Sequence, residues 1–156
     1  MIIQAHVFSQ ILYCLPVWGG ACKNQISRVQ KVINFAARVV TGTRRHEHIT
    51  PTLSALQWPT IEELIKERDC LKVFRALNNC DAPKALKRMF HQRSDITTRV
   101  TRLACTNRLH LPKVRLSITQ RSFPYRAATE WNRLPIETTQ TASEKEFRKK
   151  LRCKNA

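Results

Sequence analysis

The sequence predicts a mainly α fold: a small helical bundle, then a short β-ribbon, then a C-terminal helix. Three observations carry this. Apolar residues recur every three or four positions through most of the chain, the spacing of one helix face. Only 3 of the 156 residues are glycine, too few for a turn-rich sandwich of strands. A single segment, residues 108–118, alternates by twos instead. The hydrophobic share of 42% is ordinary for a globular chain, so a buried core can be built.

Residues 2–15 place Ile2, Ile3, Val7, Ile11, Leu12 and Leu15 at helical spacing, and Pro16 marks the stop. A turn at Trp18-Gly19-Gly20 leads into an amphipathic helix over 24–41. Its apolar face is Ile26, Val29, Ile33, Ala36, Ala37 and Val40, with Phe35 at the seam and Gly42 as terminator. Residues 43–59 read as a connector ending in an apolar turn, Leu53, Leu56 and Trp58. A helix over 60–78 follows, with Glu62 and Glu63 in the first turn, where the dipole favours them. Its apolar positions drift around the cylinder, which predicts contacts on more than one side.

Pro83 opens a short basic helix to Phe90, and 91–107 read as loop. In the alternating segment Leu109 and Leu111 share one parity, while Val114, Leu116 and Ile118 share the other. The slip at Pro112-Lys113 predicts a bulge or turn between two short strands. Phe123, Ala127 and Trp131, spaced by four, predict a short helix that docks its aromatic side chains inward and ends before Pro135. Ser143 and Glu146 have the spacing of a capping box at the start of a last helix, whose stripe is Phe147 and Leu151. These elements group as residues 1–80, 81–135 and 136–156.

The charge is the outlying quantity: 28 Lys and Arg against 11 Asp and Glu, a net +17. Residues 84–133 alone carry 12 cations and 2 carboxylates, more than solubility requires. Such a surplus calls for a polyanionic partner. Seventeen of the cations are arginine, whose planar fork matches phosphate oxygens. They fall into two candidate groups. One is Arg28, Lys31, Arg38, Arg44 and Arg45, on and after the amphipathic helix; the other is Arg99, Arg102, Arg108, Lys113, Arg115 and Arg121, around the alternating segment. Phe35, Phe123 and Tyr125 lie near enough in sequence to stack on bases, whereas Trp18, Trp58 and Trp131 read as packing residues.

The chemistry missing from the sequence is equally informative. Two-metal phosphoryl chemistry requires clustered carboxylates. The three aspartates, Asp69, Asp81 and Asp95, are isolated from one another in sequence, and the low glycine count excludes phosphate and dinucleotide loops. No catalytic residue and no cofactor is therefore expected. His46-Glu47-His48, with a cysteine such as Cys22, is the one ligand-like cluster. Without a second ligand pair it reads as a solvated loop, and no metal is expected. Six cysteines without a C-x-x-C pair read as reduced intracellular thiols, in the nucleus or cytoplasm. Gln4, His6, Ser9 and Gln10 interrupt the apolar N-terminal run, so no membrane partner is expected.

Three stretches carry a family resemblance. They are Ile11-Leu12-Tyr13-Cys14-Leu15-Pro16-Val17-Trp18-Gly19, then Val29-Gln30-Lys31 through Ala36-Ala37-Arg38-Val39-Val40-Thr41-Gly42, and finally Arg121-Ser122-Phe123 through Ala127 and Trp131-Asn132-Arg133-Leu134-Pro135. His48-Ile49-Thr50-Pro51 and Leu56-Gln57-Trp58-Pro59 sit between them. In this order the motifs resemble the region that follows the polymerase core in reverse transcriptases of non-LTR retrotransposons of the CR1 and jockey type. Cys14 stands where that family usually has glycine, and Pro124 is an intrusion in the last motif. The family's fingers, palm and endonuclease would lie upstream of Met1. The resemblance thus implies a truncated reading frame or a separately expressed thumb-like and C-terminal segment. It would be a non-catalytic piece of an RNA-directed DNA polymerase, gripping RNA or RNA–DNA hybrid, with the missing polymerase core as a partner in trans. Two alternatives stay open: a decayed transposon remnant, or a domesticated adaptor that pairs with an acidic protein.

Overall fold

The computed structural model describes residues 2–78, 82–96 and 108–153. Its described residues form eleven helices: α1 (Ile2–Leu12), α2 (Leu15–Trp18), α3 (Lys23–Thr41), α4 (Ile49–Ala55), α5 (Ile61–Asn78), α6 (Lys84–Lys87), α7 (Arg93–Ile96), α8 (Ser117–Arg121), α9 (Phe123–Arg133), α10 (Ile136–Thr139) and α11 (Glu144–Cys153). The fold is mainly α, as the periodicity predicts. The chain divides into two units, residues 1–65 and 66–156, each with its own core.

In the first unit α1 ends at Leu12, earlier than the proline rule suggests. Cys14 adopts a left-handed backbone, φ 48°, and restarts the chain as α2. Pro16 lies in the first turn of α2, where its missing N–H leaves no ladder bond unmade. The Trp18 Nε1–H donates to the Tyr13 carbonyl at 2.9 Å across this corner. Helix α3 runs as expected and buries Ile33, Ala36 and Ala37. Gly42, at φ 71°, closes it by donating its N–H to the Arg38 carbonyl at 2.8 Å. Val40, expected on the buried face, is 43% exposed.

The connector expected over 43–59 contains α4, which buries Leu53. Pro51 obscured it in the sequence, but a proline so near a helix start removes no intrahelical bond. Trp58 then packs edge-on against Phe8, with ring centroids 5.3 Å apart. Thr60 and Glu63 cap α5 reciprocally: the Thr60 N–H donates to Glu63 Oε2 at 2.8 Å, and the Glu63 N–H to Thr60 Oγ1 at 3.4 Å. The Ile61 N–H donates to Gln30 Oε1 at 2.8 Å, so a helix start is satisfied from α3.

The drift of apolar positions along α5 has a physical cause. Ile61, Leu64 and Ile65 belong to the first core, while Cys70, Leu71, Val73, Phe74 and Ala76 belong to the second. No single stripe could serve both.

The second core is aromatic. Phe74 stacks on Phe147 at 4.6 Å, Trp131 lies 5.6 Å from Phe147, and Phe90 meets Phe123 edge-on at 5.8 Å. Helix α9 delivers Ala127, Ala128 and Trp131, the inward docking its fourfold spacing predicts. Short α10 after Pro135 went unread in the sequence. Before α11, the Ser143 carbonyl accepts the Phe147 N–H at 2.9 Å, while Glu146 pairs with Lys150 at 3.1 Å.

The expected β-ribbon is corrected. Among the described residues there is one isolated antiparallel bridge, Gln92 with Leu109, and no named strand. The end of the alternating segment, residues 117 and 118, opens helix α8 instead. Leu109 is fully buried, but Leu116 and Ile118 are 67% and 68% exposed. The reason lies in backbone pairing. The other edge of Leu109 is bonded by a side chain: Asn132 Oδ1 accepts its N–H at 2.8 Å, and Asn132 Nδ2–H donates to its carbonyl at 2.9 Å. One asparagine replaces a neighbouring strand at this residue, and alternation beyond it has no ladder to join.

Candidate nucleic-acid interface

The first candidate group is carried by α3 and the loop after it. Arg28 and Lys31 are exposed, Arg38 is half-buried, and Arg44 and Arg45 are exposed. Arg38 Nη2–H donates to the Glu47 carbonyl at 3.1 Å, which brings this guanidinium against the loop that carries Arg44 and Arg45. Phe35, read as a seam residue, is 69% exposed on the solvent side.

In the second group Arg99 and Arg102 lie outside the described residues. Arg108, Lys113 and Arg115 are exposed, and Arg121 is half-buried. The structure adds two residues that the sequence reading left in a loop. His110 donates its N–H to the His91 carbonyl at 2.9 Å, and Arg93 donates its N–H to the Arg108 carbonyl at 3.0 Å. Neighbours of a paired residue emerge on the opposite face from it. With Leu109 buried, His91, Arg93, Arg108 and His110 therefore share the face turned away from the core. Alternation around Leu109 points to Arg108 and His110, but nothing in residues 91–93 betrays the pairing.

Some of the cations serve the fold. Six ion pairs are found among the described residues, and they use Arg75, Arg126, Arg133, Arg148, Lys150 and Arg152. None of the nine described candidate cations pairs with a described carboxylate. Arg126 illustrates the structural kind: its Nε and Nη2 donate to the buried Asp69 at 2.6 and 3.2 Å, and its Nη1 to the Arg121 carbonyl at 3.0 Å. Burial pushes the Asp69 carboxyl above its ordinary value, against the hydrogen bond and charge of Arg126.

The remaining chemistry is quiet. Cys70 is buried beside Asp69, and burial pushes its thiol up to about 12, the wrong direction for a nucleophile. A cleft of about 190 Å³ in the second unit is lined by Lys66, Glu67, Cys70, Glu130, Arg133, Leu134 and Leu151. Two of its charges, Glu130 and Arg133, are already paired at 2.7 Å. His46, Glu47 and His48 are all exposed, and among the described residues no three His, Cys, Asp or Glu side chains gather as metal ligands. Among the same residues no helix is long and apolar enough to cross a membrane.

Comparison with known proteins gives no match to a family model, a curated protein or a solved structure.

Proposed function

We propose that the chain is a non-catalytic nucleic-acid-binding module, the thumb-like and C-terminal segment of a reverse transcriptase of the non-LTR retrotransposon type. Its ligand is RNA or RNA–DNA hybrid, held by phosphate contacts. One observation carries the binding: nine arginines and lysines in two groups have no carboxylate partner among the described residues, in a chain of net charge +17. Two features support the family reading. The backbone is left-handed at Cys14, the position where the family pattern has glycine. Gln30, Trp131 and Asn132 of the other motifs each hold a structural contact that few side chains could replace.

The test is a salt titration of binding to RNA and to hybrid. Six to eight phosphate contacts give a log–log slope of roughly −4 to −7, by counterion release. Replacing Arg44, Arg45 and Arg108 together by Gln is expected to reduce that slope by roughly 2 to 3. Replacing the ion-paired Arg133 and Arg152 by Gln is expected to leave it unchanged. A flat titration, or equal effects from the two sets, refutes the reading.

A second reading, a remnant without activity of its own, draws on the first unit's exposed apolar residues: Ile2 at 86%, Tyr13 at 77% and Val17 at 80%. A non-cooperative thermal transition combined with no binding at low salt would favour it.

A further inference from the structure

Helix α3 presents a solvent face of unusual make-up. At about 100° per residue, Arg28, Val32, Phe35 and Val39 fall within one narrow sector, turned away from the buried Ile33 and Ala37, with Lys31 and Arg38 beside them. Phe35 is 69% exposed, and Val32 and Val39 are 51% and 52% exposed. The helix has no acidic residue, and Glu47 is the sole carboxylate in residues 1–61.

We infer that this face is a stacking track for a single-stranded nucleic acid, on which a base lies against the Phe35 ring. Its phosphates reach Arg28 and Lys31 on one side, and Arg38, Arg44 and Arg45 on the other. The inference rests on the nucleic-acid reading above and specifies one of its surfaces. Two features of the face select this ligand. First, the charge and the ring share a sector. An apolar protein surface laid on the apolar residues would bury Arg28 among them without a counterion, which is costly. A nucleotide offers an apolar face and an anion together, so it satisfies ring and guanidinium at once. Second, the length fits. Arg28 and Arg38 are about 15 Å apart along the axis at roughly 1.5 Å per residue, the span of about four stacked nucleotides. Arg38 is also held in place by its bond to the Glu47 carbonyl.

The experiment measures the affinity of the full chain for three probes: single-stranded oligoadenylate RNA, an abasic strand of the same length, and an RNA–DNA hybrid. Phe35→Ala is expected to weaken single-strand binding by roughly 5- to 150-fold, the range for loss of one stacked base. It leaves abasic-strand and hybrid affinities within about twofold, and the salt slope unchanged. Phe35→Trp restores the single-strand affinity. The ring is exposed, so neither change touches a core. If the wild-type chain binds with the expected salt slope but Phe35→Ala matches it on the single strand, the track is refuted and the broader reading stands. Equal losses on all three probes also refute stacking. No binding to any probe refutes both. If the wild-type chain binds vesicles of anionic lipid, and Phe35→Ala abolishes that while sparing RNA, the face belongs to a membrane surface and the inference fails.

Discussion

All six ion pairs among the described residues lie in the second unit. Apolar surface is distributed the other way. Among the described residues, eight of the thirteen large hydrophobic residues left exposed belong to the shorter first unit, among them Ile2, Tyr13, Val17 and Phe35. The second unit thus satisfies much of its charge internally and surrounds Trp131 and Phe147 with partners. The first leaves both cations and apolar side chains facing solvent. The contrast separates two uses of the same residue types. Three arginines of the second unit, Arg126, Arg75 and Arg152, are folding residues that join segments 57, 69 or 85 positions apart. Among the described residues of the first unit no arginine pairs with a carboxylate; Arg38 donates to the Glu47 carbonyl.

The largest expected effect tests the folding use. Asp69→Asn removes the fully buried carboxylate that the Arg126 guanidinium grips. Breaking one partner of a buried pair typically costs about 3–5 kcal/mol. Denaturant unfolding should report that loss, and Arg126→Met added to Asp69→Leu should recover most of it. If Asp69→Asn is neutral, the pair contributes little, and the second unit's charges are no more committed than the first's.

Such long-range pairs mark the limit of what the sequence discloses. Helix α3 is legible because its apolar face repeats locally and Gly42 stops it, and α9 because Trp131 closes a fourfold series. Helix α4 is not, since seven residues including Pro51 give no periodic signal. The alternation around Leu109 is real but misleading. Its backbone partners are Gln92 and the Asn132 side chain, neither of which sequence spacing can locate. The candidate cations were readable as a surplus. The pairing of Arg75, Arg126 and Arg152 was not readable, because their carboxylate partners come from other segments.

A smaller effect is expected at the corner between α1 and α2. Cys14 holds φ 48°, a conformation that costs a side-chain-bearing residue about 1–2 kcal/mol. Glycine adopts it freely but loses more entropy on folding. The balance predicts that Cys14→Gly stabilises the chain by about 0.5–1 kcal/mol, measurable as a shift in the denaturant midpoint at unchanged slope. Cys14→Val, branched at Cβ, should destabilise it. A stabilised first unit that binds RNA no differently would show that its exposed cations do not depend on a strained corner. An altered affinity would tie the Tyr13–Trp18 corner to binding.

The smallest effect bears on the partly exposed charges of the second unit. Hydrogen bonding from Arg75 holds the Glu144 carboxyl below its usual range, helped by the charges of Arg75, Arg148 and Lys72 against some desolvation. The two bonds are 2.9 and 2.6 Å. A carboxylate whose value is lowered by folding stabilises the native state fully above its unfolded-state value. That contribution is lost as pH falls through the lowered folded-state value. Both side chains are partly exposed, so solvent screening limits the pair to about 0.2–1 kcal/mol. Arg75→Gln should therefore lower stability by that amount at neutral pH, and the wild-type and variant curves should converge in acid. Salt should narrow the neutral-pH gap as well. If the gap persists unchanged at low pH, Arg75 acts through packing of its aliphatic stem. Charge pairing would then explain less of the contrast between the two units than the buried Arg126–Asp69 fork does.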